Sequence, residues 1–250
     1  MIWTHVRRGL LAGLLAGFLA GLFGFAFGEP TLDRAVDLED RVQQGEHSHE
    51  EEVFDRGEQK AGLFLATTLY GIAVGGIFGL VSAYFRGRTS LRSAWVRSLA
   101  LSGAIFTGAV FLPFLKYPPN PPGIGTAPET LAARTTAYLA MVVLSLLVLF
   151  FAWRLSRGIK SFAAPTRHLS VSGFLLVSWG LLLGLMPDFG DIGEAPIDLV
   201  WGFRLSALGT QAVLWAGIGG VFGLLGEKAE AQEAVGSRDA ETVAAGGGPR

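Results

Sequence analysis

The chain of 250 residues has no cysteine, which excludes a disulfide framework, a thiolate metal site and a thiol nucleophile. Charge is scarce as well: 16% of residues are Asp, Glu, Lys or Arg, while half are hydrophobic. The regular apolar-polar alternation of barrel strands is missing. There is also no G-x-x-x-x-G-K-[ST] phosphate loop, so any drive by ATP has to come from another protein. Ser48 lies between His47 and His49 in a strongly charged stretch with nothing to form an oxyanion hole. Without a buried nucleophile-base pair an enzyme is not expected, and no nucleic acid partner is expected either.

What the chain does have is long apolar runs. Stretches free of Asp, Glu, Lys, Arg and His cover Gly9 to Gly28, Ala61 to Phe85, Ser98 to Leu115, Thr135 to Trp153, Leu169 to Pro187 and Leu205 to Gly226. About 20 apolar residues at a rise of about 1.5 Å cover the roughly 30 Å hydrocarbon layer, so each run is long enough to span. Backbone groups have no water partner in lipid, so the runs are expected to be helices: an all-α, polytopic membrane protein with about six crossings. Transmembrane residues 1–226 form the one domain, with an acidic loop at 29–60, and the Ala-, Glu- and Gly-rich segment 227–250 is expected to be a disordered cytoplasmic tail.

The charges are sorted by loop. Arg7 and Arg8 precede the first run, Arg86, Arg88, Arg92 and Arg97 fill the second loop, and Arg154, Arg157, Lys160 and Arg167 fill the fourth; those two loops hold no acid. By the positive-inside rule they are cytoplasmic, as are both termini, and loops one, three and five face outward. A rival reading takes the first run, with Ala26-Phe27-Gly28 at its end, as a cleaved secretory signal, but the run exceeds the usual 7–15 residues of such segments.

Glycine recurs every fourth residue at Gly9, Gly13, Gly17 and Gly21, and Gly24 and Gly28 continue the stripe. Small residues let membrane helices approach closely, either for static packing or as a surface for sliding. The second and sixth runs share a motif, Gly75-Gly76-Ile77-Phe78-Gly79-Leu80 against Gly219-Gly220-Val221-Phe222-Gly223-Leu224, and Lys60 corresponds to Arg204 at the same offset. Either a hairpin was duplicated or glycine-rich helices match by chance. The fourth run, dense in Leu, Val and Phe, is expected to face lipid. No ionisable side chain lies inside any of the six runs, and the polar groups at depth are Thr67, Thr68, Ser102, Thr107, Ser145, Ser178, Thr210 and Gln211, residues that most often bond to a neighbouring helix.

The first outer loop carries Glu46, His47, Ser48, His49, Glu50, Glu51 and Glu52 in succession. Imidazole and carboxylate together suit a divalent transition metal, and because affinity rises from Mn²⁺ through Co²⁺ and Ni²⁺ to Cu²⁺, the ligands alone do not name the ion. The alternative is a solvated acidic linker. Candidate metal ligands are Glu46, His47, His49 and Glu50. In the third outer loop, Lys116-Tyr117-Pro118-Pro119-Asn120-Pro121-Pro122-Gly123 is a stiff run that serves as a rigid connector or, beside a pore, as a lid.

Three stretches, His47 to Glu52, Arg56-Gly57-Glu58-Gln59-Lys60-Ala61-Gly62 and Lys116 to Gly123, extended by Glu129-Thr130-Leu131 and Arg134-Thr135-Thr136-Ala137-Tyr138, make the chain resemble the CbtA family, the membrane subunit of a predicted cobalt transporter. The resemblance implies cobalt uptake connected with cobalamin synthesis and a small one-span partner that carries histidines. Some relatives have longer histidine-rich outer loops, where this chain offers His47 and His49 alone. The expectation is therefore a divalent metal permease, cobalt first, in the inner (plasma) membrane. Co²⁺ would be cargo or a bound ion, with no resident cofactor. The second reading is a non-transporting scaffold or metal-binding accessory that assembles through its glycine stripes, as a homo-oligomer or with a partner.

Overall fold

Runs this apolar must pair their backbone amides and carbonyls internally, and the computed structural model shows them doing so as helices. It describes residues 2–43, 55–91, 93–122, 124, 130–189 and 195–246. Among these, every regular element is helical: α1 (Ile2–Phe23), π1 (Gly24–Gly28), α2 (Glu29–Gln43), α3 (Arg56–Phe85), α4 (Ala94–Phe106), π2 (Thr107–Phe111), α5 (Leu112–Lys116), α6 (Leu131–Gly158), α7 (Ala164–Leu185) and α8 (Ile197–Gly246). Six stretches are long and apolar enough to cross a membrane, namely Ile2–Leu38, Gly57–Phe85, Ala94–Lys116, Leu131–Gly158, Ala164–Leu185 and Ile197–Ser237. They match the six charge-free runs and carry most of them on into charged flanks.

Two segments differ from expectation. The acidic segment 29–60 is helical at both ends rather than a loop throughout. In α2, Ala35 is buried and Thr31, Leu32 and Leu38 are partly buried, while Arg34 and Asp37 are exposed, the spacing of an amphipathic helix. The segment 227–250, expected as a disordered tail, continues α8 as far as Gly246. Adding residues to an existing helix needs no new nucleus, and Ala, Glu, Gln and Lys are strong helix formers. The extension is also tied down: Glu227 accepts hydrogen bonds from the Ser93 hydroxyl (2.6 Å) and the Trp95 amide (3.0 Å) at the start of α4, and Arg97 pairs with Glu230 at 2.5 Å.

Both π segments precede a proline by the same interval. π1 ends at Gly28 with Pro30 two residues on, and π2 ends at Phe111 with Pro113 two residues on. Proline has no N–H and its ring crowds the carbonyl four residues back, so a regular α turn cannot pass through either position unchanged. A widened turn just before the proline accommodates it. The Glu29 amide bonds to the Gly24 carbonyl and the Leu112 amide to that of Thr107.

The chain divides into two compact units. The first comprises residues 1–21, 63–103 and 213–250. Its centre is a glycine seam between α1 and α3: a Cβ added at Gly75 would lie 2.6 Å from the Gly13 Cα, one at Gly71 2.6 Å from the Gly17 Cα, and one at Gly17 2.9 Å from the Thr68 carbonyl oxygen. Backbone meets backbone, so the seam is packed closed. The shared motif does the same work twice. Gly75 and Gly79 receive α1, whereas Gly219 meets Ser102 and Gly223 meets the Trp95 backbone, both on α4. Phe78 and Phe222, equivalent positions of the motif, touch edge to face at 5.1 Å. Ser98 donates to the Gly219 carbonyl at 2.7 Å, and Ser102 to that of Trp215. These are the interhelical bonds expected of hydroxyls at depth, whereas Thr67 and Thr68 donate to carbonyls of their own helix, Leu63 and Phe64.

The second unit comprises residues 22–62 and 104–212. Here Gly24 and Gly28 face α8, near Thr210 and Ser206. α2 packs on the start of α8 through Ala35, Leu199 and Val200, with Ile124 closing the cluster. α6, expected to face lipid, exposes Leu139, Val143, Leu147 and Phe151 and buries a stripe of Ala137, Met141, Ser145 and Ala152. Small side chains there do what glycine does elsewhere. α7 has no buried residue.

Candidate functional site

The four candidate ligands, Glu46, His47, His49 and Glu50, lie outside the described residues, as does Glu129. The described chain shows the helices on either side of the segment that carries them. On one side α2 runs to Gln43. On the other, α3 opens with a reciprocal cap: the Asp55 carboxylate accepts the Glu58 amide (2.8 Å) and the Glu58 carboxylate accepts the Asp55 amide (3.1 Å), which supplies two amides that the helix itself leaves without partners. One turn on, Lys60 joins α3 to α2 through Asp33 at 2.9 Å and Glu29 at 3.6 Å. Asp55 and the motif from Arg56 to Gly62 thus supply a cap and a cross-link, which tie the start of α3 to the first turns of α2.

The Lys60 contacts are unequal. The Asp33 side chain is 40% exposed and that of Glu29 only 5%. Glu29 is an acid buried in a helix that continues an apolar span, and buried carboxylates need a cation close by. A Lys60→Met variant is expected to lose about 2 kcal/mol of stability. Lys116→Met, whose partner Asp188 is 85% exposed and returns to water, is expected to lose under about 1 kcal/mol. Thermal unfolding of the two variants in detergent checks the order.

The proline-rich run is a fixed connector. Lys116 pairs with Asp188 at 2.6 Å, the Tyr117 hydroxyl donates to the Pro187 carbonyl at 2.7 Å, and Asn120 accepts from Arg204 at 2.8 Å. Burial, the main influence, raises the Tyr117 phenol above its usual value, which keeps its proton in place for that bond. Pro121 is buried, and Arg134 reaches the Phe189 carbonyl. The run therefore ties the chain after α7 to the first turns of α8. Lys60 and Arg204, cations at matching positions of the repeat, find different partners, a carboxylate pair and an amide.

Along α8 the polar groups continue inward. Ser206 is buried and donates to the Phe203 carbonyl (2.9 Å), and Thr210 donates to that of Ser206 (2.9 Å). In the first unit, His5 is buried on α1 with its ring 6.1 Å from that of Phe222. His5 and Glu29 escape a search for charge-free runs because such a search ends each span at its first ionisable residue; Pro30, just after a run of glycines, is the sequence signal that the helix goes on differently there. Among the described residues no group of three or more His, Cys, Asp or Glu is placed to hold a metal ion.

The family described as probable cobalt transporter subunit, CbtA, matches residues 3–227, nine-tenths of the chain. No curated protein and no solved structure matches it.

Proposed function

Because the chain belongs to the CbtA family of probable cobalt transporter subunits, we propose that it is the permease part of a system that brings a divalent transition metal, cobalt first, across the inner (plasma) membrane to supply cobalamin synthesis. In this reading both termini are cytoplasmic, as the arginine-rich loops require. Glu46, His47, His49 and Glu50 collect the ion outside. The observation that carries the proposal is the family match over six membrane-capable helices. Cargo then passes between helices of a subunit assembly, with a small histidine-bearing one-span protein as the expected partner. No catalytic step is involved.

Radioactive Co²⁺ uptake in cells with and without the chain, under cobalt limitation, tests the reading. Accumulation is expected to fall when the chain is removed; unchanged accumulation contradicts it. The second reading, an accessory that binds metal without moving it, draws on the lack of a multi-ligand site among the described residues.

A further inference from the structure

Arg204 has no part in collecting or passing a metal ion. It stands immediately before the charge-free run Leu205 to Gly226, where α8 enters its apolar stretch, the level at which headgroups meet a membrane helix. Its Nη2 donates to Asn120 Oδ1 at 2.8 Å, and its guanidinium carbon lies 5.4 Å from the centre of the Trp201 ring, within the reach of a cation–π contact. Its Nε–H is shut off from solvent and has no acceptor. Among the described residues no carboxylate pairs with it. Other cations near span ends differ: Lys60, its counterpart in the repeat, pairs with Asp33 and Glu29, and Lys116 pairs with Asp188.

The surface beside Arg204 is apolar. Ile197, Trp201 and Leu205 are all exposed, and their four-residue spacing sets them on one face of α8. In a bilayer such a face is met by acyl chains. The Trp201 ring, 48% exposed, has the amphipathic character that suits the boundary between chains and headgroups. Arg204 follows Trp201 by three positions and precedes Leu205 by one, so its guanidinium, stacked on the indole, lies at the edge of this stripe. Asn120, from the proline-rich connector, holds it with a neutral oxygen. A half-buried guanidinium with one neutral acceptor and an orphaned N–H is short of an anion, and its planar fork of donors matches the oxygens of a phosphate.

We propose that Arg204, positioned by Asn120 and Trp201, is a binding site for the headgroup phosphate of an anionic phospholipid whose acyl chains lie along Ile197, Trp201 and Leu205. The phosphate accepts from the guanidinium donors that Asn120 leaves over. The apolar stripe running on from the cation favours a ligand that carries a tail over a soluble oxyanion. In the orientation proposed above, α8 begins on the outer side, and the lipid belongs to the outer leaflet. The site follows from insertion of the helices in a bilayer and stands whether or not the chain moves metal.

Trp201 is its own reporter. The full chain, with any subunits that accompany it, is reconstituted in phosphatidylcholine bilayers into which phosphatidylglycerol or phosphatidylcholine with brominated acyl chains is titrated, since bromine quenches a tryptophan it touches. The chain has six tryptophans, so the Trp201 part is taken as the difference from a W201F variant. Brominated phosphatidylglycerol is expected to occupy the position beside Trp201 about fivefold more readily than brominated phosphatidylcholine, the preference one cation gives near a membrane surface. R204Q should bring the ratio to one, and R157Q, which removes the arginine stacked on Trp153, should leave it unchanged. A preference that survives R204Q overturns the site. So does a preference abolished by inorganic phosphate but not by chloride at the same ionic strength, which would make the ligand a soluble oxyanion. Should R204Q fail to accumulate, the unsubstituted chain against W201F decides: equal quenching by the two brominated lipids overturns the proposal.

Discussion

A Gly13→Leu variant is expected to destabilise the folded membrane form strongly. A Cβ at that position would meet the Gly71 carbonyl and lie 2.9 Å from the Gly75 Cα. The obstacle is backbone on a facing helix, which has no rotamer to turn away, so relief requires α1 and α3 to separate along the whole seam. No hydrophobic effect holds helices together in lipid, and close approach is itself the source of the dispersion contacts. Overpacking a core costs about 1–3 kcal/mol and more when nothing can shift, which for a chain of this size lowers the melting temperature by about 10 °C. Gly75→Leu should behave alike. Gly180→Leu, on α7 with nothing within 4 Å of the added Cβ, should be neutral or slightly stabilising because Leu is the better helix former. Thermal unfolding and gel filtration in detergent compare the three; equal losses in all would show that the seam has no special role.

The second large effect is expected outside the helices. A His47→Ala/His49→Ala double variant should lower uptake at limiting Co²⁺ by about tenfold while the rate at saturating Co²⁺ is largely kept, a change in KM rather than in turnover. Ligands that collect an ion raise its occupancy at the mouth and do not set its passage. Substituting Glu51 and Glu52 by Gln should act more weakly, through local charge alone. Uptake kinetics over a range of Co²⁺ separate these cases. A loss of turnover with KM unchanged would place the histidines in the path itself.

The spans were legible because a bilayer imposes a length and forbids unpaired backbone, and the glycine seam because its four-residue spacing is the helical repeat. Gly9, Gly13 and Gly17 do face Gly71, Gly75 and Gly79. Which helix would receive Gly219 and Gly223 was not legible, since both α4 and α7 offer apolar faces; Ser98 and Ser102, bonding to carbonyls of α8, make the choice. α2 was hidden by its charge, because a surface helix betrays itself by one stripe, here Thr31, Ala35 and Leu38, and not by mean hydropathy. The outward face of α6 was legible in its Leu, Val and Phe, of which Leu139, Val143, Leu147 and Phe151 are exposed, whereas the buried stripe of Ala137, Ser145 and Ala152 was not, because no glycine marks it. Of the candidate site, the scaffold was written in the Asp55 to Lys60 motif, yet its partners Glu29 and Asp33 lie 27 or more positions away, and only folding brings them to Lys60.

The central claim is that this chain moves a metal ion across a membrane. It is tested most directly by purifying the chain with whatever subunits accompany it, sealing the assembly into liposomes, and following Co²⁺, Ni²⁺ and Zn²⁺ entering the lumen. Luminal Co²⁺ rising faster than in protein-free liposomes, and ahead of the other two ions, is the predicted result. Metal bound to the protein with no luminal rise for any ion would contradict it.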